Sequence, residues 1–300
     1  MLVVCALGGN AILPRGAPPA VDTEREHIRV AAHALAELAA EHDLVITHGN
    51  GPQVGLLAME DEAFTETAPT PLDVLGAESE GEIGYLLEQE LANALGNKRV
   101  VTLLTQVVVD GSDPAFANPT KPIGPSFDPA AAARLTAERG WAMRRDGAGL
   151  RRVVPSPEPR SIVELEAIRL LVEADATVIC AGGGGVPVTV DPHGALRGVE
   201  AVIDKDLTAE LLAHELGADA LLLLTDVAAV KRDWGTPQAT PLTEATVAEL
   251  RALALEPGSM APKAEAACRF AEQGGFAAIG ALADAAEVLA GRAGTRVTGR

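Results

Sequence analysis

Apolar positions along the chain fall into short runs that end in glycine or polar residues. LVVCAL (2–7) leads into GGNA, LVIT (44–47) into HGNGPQVG, TVIC (177–180) into AGGGG, and ALLLLT (220–225) into DVAAV. Runs of this length and content predict strands buried on both faces. Helical stretches fill the gaps: roughly 23–42, 75–95, 128–139, 161–174, 207–216, 243–253, 262–273 and 283–290, with LLAMEDEA after residue 55 also helical. Gly217 sits where a helix C-cap belongs. Strands alternating with helices predict an α/β fold, a three-layer αβα sandwich around a mainly parallel open sheet.

One segment breaks the rhythm. From about 110 to 160 the chain reads DGSDPAFANPTKPIGPSFDP and later RRVVPSPEPRS, dense in proline and polar residues and unlike a sheet interior. Phe116, Ile123, Phe127, Trp141 and Val153 give it apolar anchors, so an ordered small subdomain is expected there.

Composition narrows the chemistry. The chain has 300 residues, enough for one large α/β domain or two lobes sharing a cleft. The net charge of −18 argues against nucleic acid or an anionic membrane as partner, because both would repel it. It does not argue against a small anion held by a few fixed cations. No apolar run approaches the roughly 18 residues of a membrane helix. Cys5, Cys180 and Cys268 lie in apolar surroundings without metal-type spacing, which predicts buried thiols in a reducing, cytoplasmic setting.

The glycine turns point to an anion. A glycine turn between strand and helix lets the backbone approach a ligand and aims free N–H groups at it. Four occur here: Gly8-Gly9-Asn10, Gly49-Asn50-Gly51, Gly182 to Gly185, and Gly258-Ser259-Met260. Neither GxxxxGK[ST] nor GxGxxG is present, so a P-loop or a Rossmann dinucleotide site is not the solution used.

Lysine usage sharpens this. Only five of the 24 basic residues are lysine: Lys98, Lys121, Lys205, Lys231 and Lys263. Lys121 is pinned between prolines in NPTKPIGP, Lys205 lies in DKD at a helix start, and Lys263 lies in the first turn of a helix with Pro262 expected at its first position. A cation at a helix N-terminus opposes the macrodipole unless a bound phosphate reverses the sign. A lysine is a compact charge that can follow a phosphoryl group in flight. Asp206 reads either as a cap or first-turn acid for the helix 207–216 or as a spacer between two ammonium groups. Lysines, helix N-termini and Mg²⁺ suffice for phosphoryl transfer, and Mg²⁺ commonly rides on nucleotide phosphates rather than in a protein cage.

The stretches ALGGNAIL, HGNGPQVG, DPAFANPTKPIGP, RRVVPSPEP, AGGGGVPV, AVIDKDLTAELLA and GSMAPKAEAA together closely resemble the carbamate kinases of the amino-acid kinase superfamily. The resemblance runs in order from residue 5 to about residue 273. It implies reversible phosphoryl transfer between ATP and carbamate, giving ADP and carbamoyl phosphate, with ATP synthesis in arginine catabolism as the usual role. It implies a cytoplasmic homodimer acting on small molecules. It implies an N-terminal lobe (1–200) on the carbamate side, with a lid subdomain at about 112–160, and a C-terminal lobe (201–300) on the nucleotide side. Gly8, Gly9, Asn10, Gly49, Asn50 and Gly51 would hold carbamate and the moving phosphoryl group. Lys121 would reach in from the lid. Lys205 and Lys263 would meet the nucleotide phosphates with Asp206 between them. Thr225, Asp226, Val227 and Val230 would line the adenine pocket, with Met260 also on the nucleotide side. Two positions depart from the family pattern: Ala261 stands where glycine is common, which could shift Lys263, and Ser126 interrupts GPF. The alternatives are a superfamily kinase for another small acid or phosphate, and a silent nucleotide-binding regulator.

Overall fold

The computed structural model describes residues 1–12, 21–63, 69–147, 149–256 and 258–299, without the side chains of Asn10, Ala11, Val21 and Glu62. Its frame is an eight-stranded sheet. The strand order is Glu244–Thr246, Thr295–Thr298, Phe276–Ala281, Ala220–Thr225, Leu2–Leu7, Asp43–His48, Ala176–Cys180 and Arg99–Leu103. Neighbours run parallel except Phe276–Ala281 against Thr295–Thr298.

Strand Leu2–Leu7 shows why the sequence forms three layers. Successive side chains point to opposite faces of a sheet. Val4 and Ala6 enter one core, and Val3, Cys5 and Leu7 enter the other. Helices Lys205–Leu216 and Met260–Glu272 cover the first face; Val21–Glu41 and Leu72–Leu95 cover the second. Both faces are apolar, so the strand reads as a continuous hydrophobic run. All three cysteines are buried thiols. Among the described residues no helix is long and apolar enough to cross a membrane.

Several boundaries differ from the sequence reading. The window 161–174 opens with the end of strand Pro159–Ile162, and its helix is Leu165–Glu173. The window 243–253 splits into strand Glu244–Thr246 and helix Val247–Ala252, with Thr246 and Glu249 forming a capping box. The helix after His48 begins at Gly51, not near residue 56. Helix Met260–Glu272 starts two residues early, so Pro262 occupies its third position rather than the first. That position also lacks an intrahelical acceptor for an N–H, so proline loses nothing there.

The proline-dense excursion is ordered, and it does form a sheet. Strands Lys121–Phe127, Gly149–Val154 and Met143–Asp146 pair antiparallel, with helix Pro129–Arg139 packed beside them. Pro122 and Pro125 are tolerated because their strand lies at the edge of this sheet, where its register is interrupted between Ile123 and Phe127. Trp141 stacks under Arg152 at 4.3 Å and sits 6.4 Å from the Phe127 ring. Ile123 and Val154 dock the subdomain onto Val54, Leu72 and Val202 of the body.

That docking depends on Gly55. A methyl there would lie 2.0 Å from the backbone of Gly124, which itself has φ of +67°. Backbone cannot yield as a side-chain tip can, so Gly55→Ala must push the subdomain off the body. Misplacing a site by about 1 Å can cost ~100-fold in rate. Gly55→Ala is expected to lose at least ~10-fold in kcat/KM, measured by steady-state kinetics. A wild-type value would show that the close approach is not needed for turnover.

Candidate active site

A cavity of about 730 Å³ opens at the C-terminal ends of the central strands, beneath the small subdomain. Ligands of open α/β sheets bind at these ends. Gly8, Gly9, Gly49, Asn50 and Gly51 form one wall, with Gly183 beside them. Lys205, Asp206, Lys263 and Thr225 form the opposite side, and Lys121 descends from the subdomain. The three lysines singled out by their scarcity therefore share one crevice. The other two have different work. Lys98 donates to the carbonyls of Ala39 and His42 at the end of helix Val21–Glu41, and Lys231 lies over the Trp234 ring at 5.3 Å.

Local sequence explains the lysine cluster. Asp204, not Asp206, is the N-cap of helix Lys205–Leu216, accepting from the Asp206 N–H at 2.9 Å. The cap frees the Asp206 carboxylate. Its Oδ1 accepts from Lys205 Nζ at 2.6 Å and its Oδ2 from Lys263 Nζ at 3.0 Å. One carboxylate thus spaces two ammonium groups carried by two helices. Asp204 has a second task, accepting from Lys121 Nζ at 2.5 Å. The sequence reading passed over Asp204, although DKD at a helix start holds the capping signal. It also passed over Arg151, which lines the cavity from the subdomain and pairs with Asp146 at 3.0 Å.

Burial sets the charges. Lys205 is 8% exposed and Asp206 3%. Burial lowers the Lys205 ammonium to about 8, against the pull of Asp206 and with Lys263 adding repulsion. Burial alone would raise Asp206, but Lys205 and Lys263 outweigh it and hold the carboxyl far below its usual range. Burial likewise works against the Lys263 charge, and Asp206 overcomes it, leaving this ammonium raised. Any reaction that needs Lys205 charged loses it as pH rises through its folded value. The kcat/KM profile is therefore expected to fall on the alkaline side with a midpoint about 8, and this group adds no acid limb. A flat profile to pH 10 would exclude Lys205 as the required cation.

The glycines do not all offer amides. The Gly8 N–H donates to Leu224 O at 2.7 Å, and the Gly49 N–H to Leu7 O at 3.1 Å. The Gly182 N–H donates to Glu80 Oε1 at 2.9 Å. These three serve close approach instead. A methyl on Gly49 would meet the Gly9 backbone at 3.0 Å and the Lys205 stem at 3.4 Å. Gly9 and Gly51 open helices, where the first N–H groups lack intrahelical acceptors. The Asn10 side chain lies outside the described residues. Asp226, Val227, Val230 and Met260 are not among the residues lining the cavity. Val230 is buried in the core, with its N–H on Thr295 Oγ1, and Met260 packs against that core.

The two departures are accommodated. Ala261 lies in the first turn of a helix and is not among the positive-φ residues, and Lys263 still reaches Asp206, so no glycine angle is required there. Ser126 packs over Gly149, where a side chain would collide with its hydroxyl. No group of three or more His, Cys, Asp or Glu that could hold a metal exists among the described residues. Asp204 and Asp206 are both committed to lysines.

The amino acid kinase family profile matches residues 1–279. A carbamate kinase of Haemophilus influenzae is 49% identical over 99% of this chain and 97% of its own length. One of Escherichia coli (strain K12) is 50% identical over 99% of each. The structure of carbamate kinase from Giardia lamblia bound to AMP-PNP superposes with a TM-score of 0.90 at 39% identity, covering 100% of this chain and 98% of that one. A buried cluster of lysines at the end of a parallel sheet and similarity of this degree over nearly the whole chain have one reading: the chain belongs to the amino acid kinase family, and within it to the carbamate kinases.

Proposed function

We propose that the protein transfers a phosphoryl group reversibly between ATP and carbamate, giving ADP and carbamoyl phosphate. The observation that carries this reading is the convergence of Lys121, Lys205 and Lys263 on one cavity, two of them sharing Asp206. In the ATP-forming direction a β-phosphate oxygen of ADP attacks the phosphorus of carbamoyl phosphate. The P–O bond to carbamate breaks, and carbamate leaves as the anion. Little covalent work falls to the protein, so catalysis is positioning and charge stabilisation. Lys205 and Lys263 would offset charge on the moving group, and the helix opening at Gly51 would face it with free N–H groups. Carbamate is small and planar, so backbone amides and the Asn50 amide can hold it without a dedicated pocket. Mg²⁺ would arrive with the nucleotide, since Asp204 and Asp206 are engaged by lysines.

The resemblance suggests the residue assignments, and the cavity lining supports them for Gly8, Gly9, Gly49, Asn50, Gly51, Thr225 and Lys263. Gly8, Gly9, Asn10, Gly49, Asn50 and Gly51 belong to the acid side, within 1–200. Thr225, Asp226, Val227, Val230, Met260 and Lys263 belong to the nucleotide side, within 201–300. The subdomain at about 112–160 is the lid. Carbamoyl phosphate is a mixed anhydride, which favours ATP formation, and we infer a role in arginine breakdown. Buried free cysteines fit a cytoplasmic setting. Among the described residues strand Arg99–Leu103 has no strand on its outer side, where Glu88 takes the Thr102 N–H, and the exposed Leu104 that follows it supports a homodimer through that edge. A single-chain mass by light scattering would overturn the dimer.

The test is a coupled assay for ATP formation from ADP, Mg²⁺ and carbamoyl phosphate. Activity with another acyl phosphate but not this one would favour a different small acid. Within the assay, Lys121→Ala is expected to lower kcat at least ~10-fold while the KM for ADP stays within about 2-fold. An equal loss of ADP affinity would move Lys121 to the nucleotide side.

A further inference from the structure

Two consecutive residues, Ser79 and Glu80, hold the acid-side wall of the cavity from behind. Asn50 and Gly183 both line the cavity and lie against each other. A side chain on Gly183 would meet the Asn50 amide at 2.2 to 2.4 Å, so the amide packs on bare backbone. Behind them runs helix Leu72–Leu95, with Ser79 fully buried and Glu80 1% exposed. Asn50 Nδ2 donates to Ser79 Oγ at 2.8 Å, and Ser79 Oγ donates onward to Gly76 O at 2.9 Å. With its proton spent on Gly76, the Ser79 hydroxyl can only accept from Asn50. That dictates which end of the amide points to the helix: nitrogen inward, leaving the carbonyl oxygen and the second N–H for the cavity.

Glu80 does the corresponding job for the glycine turn. Its Oε1 takes the Gly182 N–H, while Thr105 Oγ1 takes the Ala181 N–H at 3.0 Å and Thr208 donates to Gly184 O at 3.0 Å. The turn needs such pegs. Ala181 sits at φ of +51°, and Gly183, Gly184 and Gly185 are all at positive φ. Gly182 admits the peg because a side chain there would strike the His48 ring and Glu80 itself. Burial pushes Glu80 up to about 8 and holds the His48 imidazole down to about 4, so burial favours the neutral form of both under the turn.

We propose that Ser79 and Glu80 are positioning residues for the acid-side half of the site: Ser79 fixes the orientation of the Asn50 amide, and Glu80 fixes the glycine turn on which that amide rests. The proposal builds on the small-acid reading above. It differs from a packing role because Ser79 acts through Asn50 alone. Steady-state kinetics of the full chain with ADP and carbamoyl phosphate separate the two. Ser79→Ala is expected to lower kcat/KM for carbamoyl phosphate ~10-fold, the loss of one orienting hydrogen bond, with the KM for ADP within about 2-fold. In an Asn50→Ala background the same change is expected to have no further effect, as a shared pathway requires. Glu80→Gln keeps the accepting oxygen and is expected to lose less than ~3-fold, whereas Glu80→Leu loses more than ~10-fold. An equal Ser79→Ala loss with and without Asn50, or a matching rise in the KM for ADP, overturns the proposal. If Glu80→Leu does not fold, the Ser79 and Asn50 pair decides.

A second readout is independent of turnover. Of the two Asn50 side-chain amide protons, assigned by their loss in Asn50→Ala, the one donated to Ser79 should exchange more slowly with solvent than the one facing the cavity in the wild type, and that difference should vanish in Ser79→Ala. Unchanged protection overturns the proposal. A wild type that makes no ATP from these substrates overturns the functional reading instead, and the amide signals still judge Ser79.

Discussion

Lys205→Ala and Lys263→Ala are each expected to lose at least ~100-fold in kcat for ATP formation, the scale seen when one preorganised transition-state donor is removed. Both ammonium groups are buried, at 8% and 7% exposure, where a charge acts through few intervening waters. Both are already aimed, because Asp206 holds them at 2.6 and 3.0 Å before any substrate arrives. No reorganisation is left to make at the moment of transfer. Arginine should not replace Lys205. Its planar fork is larger and could not sit on Asp206 as the compact ammonium does, 2.6 Å from Oδ1. The two variants should separate from Lys121→Ala by their effect on ADP. Lys263 lies in the first turn of helix Met260–Glu272, and if that helix meets the nucleotide as proposed, its loss raises the KM for ADP as well. Rates within a few-fold of wild type in either variant would remove that lysine from the transfer step.

Sequence carried the frame and the lysines, and physical reasons separate what it carried from what it did not. Strands Leu2–Leu7, Asp43–His48, Ala176–Cys180 and Ala220–Thr225 are buried along nearly their whole length, so their runs of Val, Leu and Ile stand out. Strand Phe276–Ala281 is as central but is written FAAIGA, and Gly280 is small because Val288 and Gly294 press on it. Its residues were chosen for close packing, not for β-propensity. Edge strands Arg99–Leu103 and Glu244–Thr246 are only half apolar and were missed for the opposite reason. The subdomain sheet hid behind its prolines. At the site, lysine scarcity singled out Lys121, Lys205 and Lys263 because a solvated surface in this chain uses arginine. Composition could not reveal that Asp204 serves a cap and a lysine at once. Nor could it pair Asn50 with Ser79, 29 positions apart, since that contact exists only once helix Leu72–Leu95 docks behind the glycine turn.

Asp206→Ala is expected to damage stability as well as rate. The carboxylate lies between two buried ammonium groups and is itself 3% exposed. Removing it leaves two like charges in a dry site, and breaking a buried pair in this way typically costs about 3–5 kcal/mol. In a chain of this size that corresponds to a fall in Tm on the order of 10 °C. The protein has one escape. Lys205 already sits at about 8 with Asp206 present, so without it the lysine sheds its proton more readily still. A lysine held below its unfolded value binds fewer protons folded than unfolded. Stability then rises with pH between the two values. The deficit of Asp206→Ala should therefore be greatest below the variant's own Lys205 value, shrink as pH rises to about 8, and so be larger at pH 7 than at pH 9, while kcat stays low throughout because a neutral Lys205 cannot offset phosphoryl charge. Thermal unfolding of both proteins at the two pH values measures this. A deficit under about 1 °C at pH 7, or one that grows toward pH 9, would mean that the two lysines do not depend on Asp206 to stay buried and charged. In that case the carboxylate is a first-turn acid of helix Lys205–Leu216 and nothing more.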